Sequence, residues 1–421
     1  MTKCDVYFEG DEKRYEGQYE IDDNTLEVEV FNHHFSNEDY VPIGAEVNYR
    51  EITIVDLRNK MFLFSPVFYN AGFTIALTQY EKFKTKFYLS TSVVGDVEGY
   101  SNDMMVSILE IYNPVLIKCF QNQSLVITSN REETNYKIIK SQQPMKIEIK
   151  ENNIEYIEFG DSVEYFSKNN NQTVSIETEN YAKIYFSEPV KCEEILEYIK
   201  EFDVIIDAYC LTGLRSYKTY LYTPENKKYN VVHKLLGSEK HYKKAIYNPV
   251  KIPFWNYVKK MYKDINYRRT ENRNKYIPLE FKKPTSLEDQ YTFYFRYIDL
   301  YMGEYLKQET GNEPSNYSRL SRFVDDNVMF FNTDGSVNLD ELKNELNSLR
   351  NHYVHEGYYL PNNQFSVTQN RKHLYYKTMD YMWLSRMVNI FKFGAYKILY
   401  KQVLELEIDE SELRNALKCW W

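Results

Sequence analysis

MKIEIKENNIEY, residues 145–156, decides how the N-terminal half of the chain is read. Met145, Ile147 and Ile149 alternate with Lys146, Glu148 and Lys150, the period-2 pattern of a strand with one face in a core. Asn152-Asn153 follows as a turn, and Ile154 and Tyr156 begin a returning strand. The same style runs outward in both directions. Leu26, Val28 and Val30 alternate with Glu27 and Glu29; Val47, Tyr49 and Glu51, then Ile52 and Ile54, continue it. Thr173 to Thr178 and Ala182 to Phe186 read as closing strands. Helical periodicity is weak throughout, so residues 1–190 are expected to form an antiparallel, sandwich-like β-rich domain.

The pattern changes near Pro189. From Glu193, the apolar residues Ile195, Leu196, Ile199, Phe202, Ile206 and Tyr209 recur every three or four positions, which predicts an amphipathic helix. Further helix is expected between Asn230 and Asp264, so residues 191–275 read as a helical annex. Residues 268–284, RRTENRNKYIPLEFKKP, are the densest basic run in the chain. They read either as a solvated connection or as an electrostatic lip that guides a phosphate backbone. From 280 to 421 the chain reads as all-α. Thr285 and Glu288 have capping-box spacing for a helix running to about Lys307. A short helix is expected near Ser318 to Asp325. Asn338 and Glu341 open a helix carrying Leu339, Leu342, Leu346 and Leu349, with Gly357 and Pro361 as stop signals. A last helix, from about Gln369 to Leu404, turns Met382, Val388, Phe391, Ala395 and Leu399 toward a core. The fold class is α+β, with a C-terminal up-and-down helical bundle.

Composition bounds the function. The 421 residues suffice for two or three domains, with a hydrophobic fraction of 43% and a charged fraction of 27%. The net charge of -9 argues against a dedicated duplex-coating protein, which is usually basic, so any nucleic-acid site must be a local basic patch or act by brief encounter. The 41 Tyr and 24 Phe reflect either a low-GC genome or surfaces that stack on bases or sugars. Cys4, Cys119, Cys192, Cys210 and Cys419 are odd in number and show no CxxC pair, which fits a reducing compartment without a disulfide framework. Neither they nor the histidines supply zinc-ligand spacing, and His33-His34 reads as surface. The polar N-terminus has no signal-peptide pattern, and the apolar window Met61 to Leu77 is broken by Pro66 and Asn70. The expected location is the cytoplasm, with no membrane partner. No GxxxxGK, GxGxxG or GxSxG stretch is present, and no cofactor is expected. Glu193-Glu194 and Asp325-Asp326 read as solvated neighbours.

The chemistry concentrates at the end of the leucine helix, in Arg350-Asn351-His352-Tyr353-Val354-His355. Each helical residue turns 100°, so Asn351 and His355 share a face, with Arg350 beside the leucine stripe. His355 falls just before the expected helix end at Gly357, where the dipole favours a protonated imidazole. Metal-free RNA cleavage needs a base for the ribose 2′-OH, a cation for the phosphoryl oxygens and an acid for the departing 5′ oxygen. The fork of Arg350 matches two phosphate oxygens, and His355 suits the base or acid role. One helix offers one Arg and one catalytic His, so a symmetric dimer would complete the set. His352 and Tyr353 are expected to be accessory contacts.

Arg-Asn, three residues and His resemble the RNxxxH form of the HEPN nuclease signature, and the helical segment 280–421 is similar to the HEPN fold. The resemblance implies dimerisation through the motif-bearing helices, one composite cleft, and RNA cleavage without metal. It also implies a polar residue on the first helix that faces the motif. Asp299, where the family often has Glu, takes that place and would orient Arg350; its other reading is an i,i+3 partner of Arg296. The layout of a β-rich region, including Gly17-Gln18-Tyr19 before the Leu26 strand, then a helical stretch and a HEPN bundle looks like the ApeA-type abortive-infection proteins. That resemblance implies a sensor domain, answering to a phage protein, coupled to a toxic RNase. An unstacked loop such as a tRNA anticodon is the kind of target that exposes a 2′-OH for in-line attack. Two other classes stand beside this one. The first is an inactive HEPN dimerisation module whose β domain recognises protein or carbohydrate. The second is a carbohydrate-active β-sandwich, for which no pair of carboxylates is visible.

Overall fold

The computed structural model describes residues 1–8, 12–22, 25–31, 46–47, 52–56, 60–64, 67–69, 84–89, 91–96, 104–119, 125–129, 134–138, 144–168, 173–211, 215–233, 253–271, 286–331, 338–351 and 378–417. The fold is α+β, antiparallel sheet in the N-terminal part and helices in the C-terminal part. The chain divides into two compact units, Met1–Ile206 with Leu214–Tyr247, and Asp207–Gly213 with Asn248–Trp421.

The strands of the first unit are β1 (Thr2–Phe8), β2 (Tyr15–Asp22), β3 (Thr25–Phe31), β4 (Glu46–Val47), β5 (Ile52–Asp56), β6 (Lys60–Phe64), β7 (Val67–Tyr69), β8 (Lys84–Leu89), β9 (Thr91–Asp96), β10 (Met105–Tyr112), β11 (Leu125–Ser129), β12 (Thr134–Ile138), β13 (Met145–Glu151), β14 (Ile154–Lys168), β15 (Thr173–Lys191), β16 (Lys218–Tyr222) and β17 (Lys228–His233). All but β11 and β12, which pair with each other, hydrogen-bond into one sheet in the order β13-β14-β15-β10-β16-β17-β9-β6-β5-β1-β2-β3-β8-β7-β4. Among the described residues this is one hydrogen-bonded sheet with a separate two-stranded pair, antiparallel as expected from sequence. Alternation explains the strands locally: Leu26, Val28 and Val30 of β3 are buried, as are Ile147 and Ile149 of β13. Asn152 and Asn153 both take positive φ, 52° and 60°, so the turn closing β13 onto β14 is built where Asn tolerates left-handed backbone. β13 stands at one end of the sheet order, with Lys146, Glu148 and Lys150 exposed.

One face of β13, β14, β15, β10, β16 and β17 carries a cross-strand row in register: Lys146, Glu158, Lys183, Glu110, Tyr220 and Asn230. Tyrosines flank it. Tyr156 and Tyr185 stack at 4.3 Å, and the ring of Tyr181 occupies the space over Gly160, where a Cβ would come within 2.5 Å of it. At the centre is the buried Glu110. Its carboxylate accepts hydrogen bonds from Tyr112 (2.5 Å) and Tyr222 (2.7 Å) and pairs with Lys183 at 3.2 Å and Lys228 at 3.9 Å. Burial pushes this carboxyl up, but the two phenols and the two ammonium groups outweigh it and leave it below its ordinary value. The opposite face holds the core, with Leu109, Ile111, Ile157, Phe159, Ala182 and Ile184.

α1 (Leu116–Cys119) is short, and α2 (Ile195–Cys210) is the helix expected from Glu193 onward. Ile195, Ile199, Phe202 and Ile206 are buried, as the spacing predicts, but from Glu201 onward every residue of α2 is buried. Asp203 is consequently a carboxylate inside the first unit. Its Oδ1 accepts from the Ser216 amide (2.9 Å), the Ser216 hydroxyl (2.5 Å) and the Asn113 amide (3.2 Å), tying α2 to the end of β10 and the start of β16. Burial pushes it up to about 6, against the Ser216 hydroxyl and the nearby charge of Arg215.

The helical annex expected over 191–275 is corrected in its middle: Lys218–Tyr222 and Lys228–His233 are strands β16 and β17 of the large sheet. The reason is local. Thr219 and Leu221 are buried between more exposed Lys218, Tyr220 and Tyr222, a period of 2. α3 (Phe254–Glu271) supplies the helix of this stretch, and its end takes in Arg268 to Glu271 of the basic run. The rest of that run, 272–284, lies outside the described residues.

The second unit continues with α4 (Leu287–Thr310), α5 (Asn316–Asp326), α6 (Val328–Phe331), α7 (Leu339–Asn351), α8 (Thr378–Lys397) and α9 (Glu410–Ala416); a π-helical turn, Ile398–Val403, follows α8. The cap of α4 is Ser286, whose side chain accepts from the Asp289 amide, one residue beyond the expected Thr285. Gly311 ends α4 in the left-handed region, where glycine carries no Cβ penalty. Phe391 of α8 is the aromatic hub. Its ring meets Tyr291 and Phe295 of α4, Phe323 of α5 and Phe331 of α6. Gly394, one turn on, leaves room for Phe323, whose ring would lie 2.5 Å from a Cβ there. Val388, Ala395 and Leu399 are buried as expected; the Met382 side chain lies outside the described residues.

Candidate active site

α7 is built as its sequence specifies. The Asn338 side chain accepts from the amides of Asp340 (3.2 Å) and Glu341 (3.4 Å), capping the first turn. Leu342 and Leu346 are buried, and Leu339 is half-buried. Lys343, on the flank, reaches Asp325 of α5 at 2.7 Å. The helix runs without interruption to Asn351, so the backbones of Arg350 and Asn351 form its last turn.

The side chains of Arg350 and Asn351 lie outside the described residues, as do His352, Tyr353, Val354 and His355, with the stop signals Gly357 and Pro361. What the structure places is thus the start of the motif, on a helix anchored at its N-terminus by a cap and along its length by two leucines.

α4 supplies the neighbouring side chains. Asp299 is engaged by Arg319 of α5, N to O 3.3 Å, with both side chains largely buried. The guanidinium of Arg319 lies across Gly303, 3.1 Å from where a Cβ would stand, and also reaches Glu313 at 3.2 Å. This ion pair clips α5 onto α4. The sequence offered Asp299 either to Arg350 or to Arg296; among the described residues it pairs with Arg319, twenty residues away on the next helix, and the Arg350 side chain lies outside the described residues. Arg296 is exposed.

One α4 residue touches α7 in a way the sequence reading missed. Tyr291 is buried, its ring between Phe295 and Phe391, and its hydroxyl donates to the Leu346 carbonyl at 3.5 Å. The spacing of Tyr291, Phe295 and Ile298 marks the buried face of α4, but nothing local points to an acceptor 55 residues later in the chain.

Asp325 and Asp326 are exposed, as expected, and each meets a cation: Lys343 and Arg322. His33-His34 lies outside the described residues. Among the described residues, no group of three His, Cys, Asp or Glu is placed to hold a metal ion, the four cysteines Cys4, Cys119, Cys192 and Cys210 form no disulfide, and no helix is long and apolar enough to cross a membrane.

In comparisons with known proteins, no family model, no curated protein and no solved structure matches the chain.

Proposed function

We propose that the chain is a metal-independent endoribonuclease whose chemistry is carried by Arg350, Asn351 and His355. The observation that supports this reading is the placement of Arg350 and Asn351 in the final turn of a capped, leucine-anchored helix, with His355 four residues further on. In the proposed step, an imidazole takes the proton of a ribose 2′-OH and the 2′ oxygen attacks the adjacent phosphorus. The Arg350 guanidinium bears the charge that builds on the phosphoryl oxygens. The bond from phosphorus to the 5′ oxygen breaks, and a second imidazole protonates that oxygen. The products end in a 2′,3′-cyclic phosphate and a 5′-OH. Two imidazoles require two copies of the motif, so the active species is a homodimer paired through these helices. His352 and Tyr353 contact RNA beside the scissile bond, and Asp299, which also pairs with Arg319, orients Arg350.

The resemblance to ApeA-type abortive-infection proteins extends the reading. The β-rich unit answers to a phage protein, and the helical unit then cleaves cytoplasmic RNA, a tRNA loop among the candidates. The net charge of -9 favours the other reading, an inactive helical dimerisation module whose sheet recognises protein or carbohydrate.

Incubating wild type, Arg350→Ala and His355→Ala with total RNA in EDTA separates the two. Cyclic-phosphate products from wild type, lost in both variants while their circular dichroism is unchanged, are the expected result. Undiminished cleavage by His355→Ala removes the site assignment; intact RNA with wild type and phage-infected extract together favours the binding module.

A further inference from the structure

We infer that Tyr291 is a positioning residue for the motif at the end of α7, an inference that rests on the nuclease reading above. In an α-helix the carbonyl of residue 346 is the partner of the amide of residue 350. α7 is helical through Asn351, so the oxygen that receives the Tyr291 hydroxyl is the one on which the Arg350 backbone hangs. The last turn of a helix is where its hydrogen bonds fray, because the carbonyls beyond it have no helical partners. A donor from outside the helix, delivered one turn before Arg350, opposes that fraying at the point where the motif begins.

The donor itself is held firmly. Tyr291 is 1% exposed, and its ring packs near-parallel to Phe295 at 5.7 Å and edge-on to Phe391 at 5.1 Å. Leu346, the residue that offers the carbonyl, is fully buried. The 3.5 Å bond therefore lies where water does not compete for either end, and α4, α7 and α8 meet at this one phenol. Tyr291 touches no reacting atom; it acts through the backbone that carries Arg350. Arg350 must meet a charge that is fully developed only in the transition state, so loosening its helix turn lowers turnover more than substrate binding.

Tyr291→Phe tests this, since it removes one oxygen and keeps the packed ring. Two measurements are made on the full chain: RNA cleavage resolved into kcat and KM, and hydrogen exchange at the Arg350 and Asn351 amides. Tyr294→Phe, another buried α4 phenol whose ring faces Tyr396 of α8, serves as control. The expected result is a kcat about twofold lower with KM unchanged, together with about twofold faster exchange at those two amides, the lower end of the effect of one buried hydrogen bond, as befits a 3.5 Å contact. The control leaves both at wild-type values. Wild-type kcat in Tyr291→Phe, or unaltered exchange at 350 and 351, overturns the inference while Arg350→Ala remains inactive and the nuclease reading stands. If Arg350→Ala cleaves as wild type does, the assignment of the chemistry to this motif fails, and the exchange measurement still decides whether Tyr291 braces α7.

Discussion

Glu110 and Asp203 are both nearly inaccessible carboxylates of the first unit, and their environments drive them in opposite directions. Glu110 sits on the tyrosine-lined face of the sheet with two phenols and two ammonium groups around its two oxygens. Asp203 sits on α2, with three neutral donors converging on one oxygen and the charge of Arg215 partly offsetting its own. Burial opposes ionisation at both. Nearby cations together with charged-form hydrogen bonds reverse it at Glu110, and neutral hydrogen bonds do not at Asp203. Burial alone therefore says little about a carboxylate; the sign of its neighbours decides.

The contrast can be broken most forcefully at Glu110. Glu110→Ala strands Lys183 and two phenols, and should lower stability by about 3 kcal/mol in urea unfolding. Next comes Asp203→Asn, which keeps an acceptor oxygen and removes the charge. It should raise stability at pH 7.5 by about 1–2 kcal/mol, less than the roughly 3 kcal/mol that the shift itself represents. A loss of stability would mean that the charge strengthens the three bonds more than burial weakens the site. The pH dependence follows the same signs. Asp203 has a folded value near 6, above 3.8 in the unfolded chain, so its protonated form is favoured by folding. That contribution is complete below about pH 4 and is lost as pH rises through 6, so the advantage of Asp203→Asn should vanish on acidification. Glu110 has a folded value below 4.5; its contribution is complete above that and is lost as pH falls through the folded value. Smaller effects come from its partners. Lys183→Met, at a 3.2 Å pair with the lysine 26% exposed, should cost about 1 kcal/mol. Lys228→Ala, at 3.9 Å and 46% exposed, should cost under about 0.5 kcal/mol by the same unfolding measurement.

Much of the fold was legible because its signals are local. The alternation in β3 and β13, the Asn152-Asn153 turn, the apolar repeat of α2 and the Asn338 cap of α7 each depend on residues within a few positions of one another. β15 was read as two pieces because its centre, Glu177 to Asn180, is polar on both faces; only its pairing with β14 and β10 makes it one strand. β16 and β17 were missed because five- and six-residue strands between helices carry few repeats of their pattern. The motif at Arg350 and His355 was legible as residue types and spacing. Its surroundings were not, since the Arg319 partner of Asp299 and the Tyr291 contact to Leu346 arise only when separate helices pack.

β13 has one further consequence. Among the described residues β13 stands at the border of the sheet, and a strand so placed offers its outer amides and carbonyls to any passing extended peptide, the usual route to fibrillar association. Here a visiting backbone would meet Lys146, Glu148 and Lys150, alternating in sign, and then lose its register where Lys150 turns to a φ of 58°. The same twelve residues that announce the strand in the sequence also keep it from recruiting another.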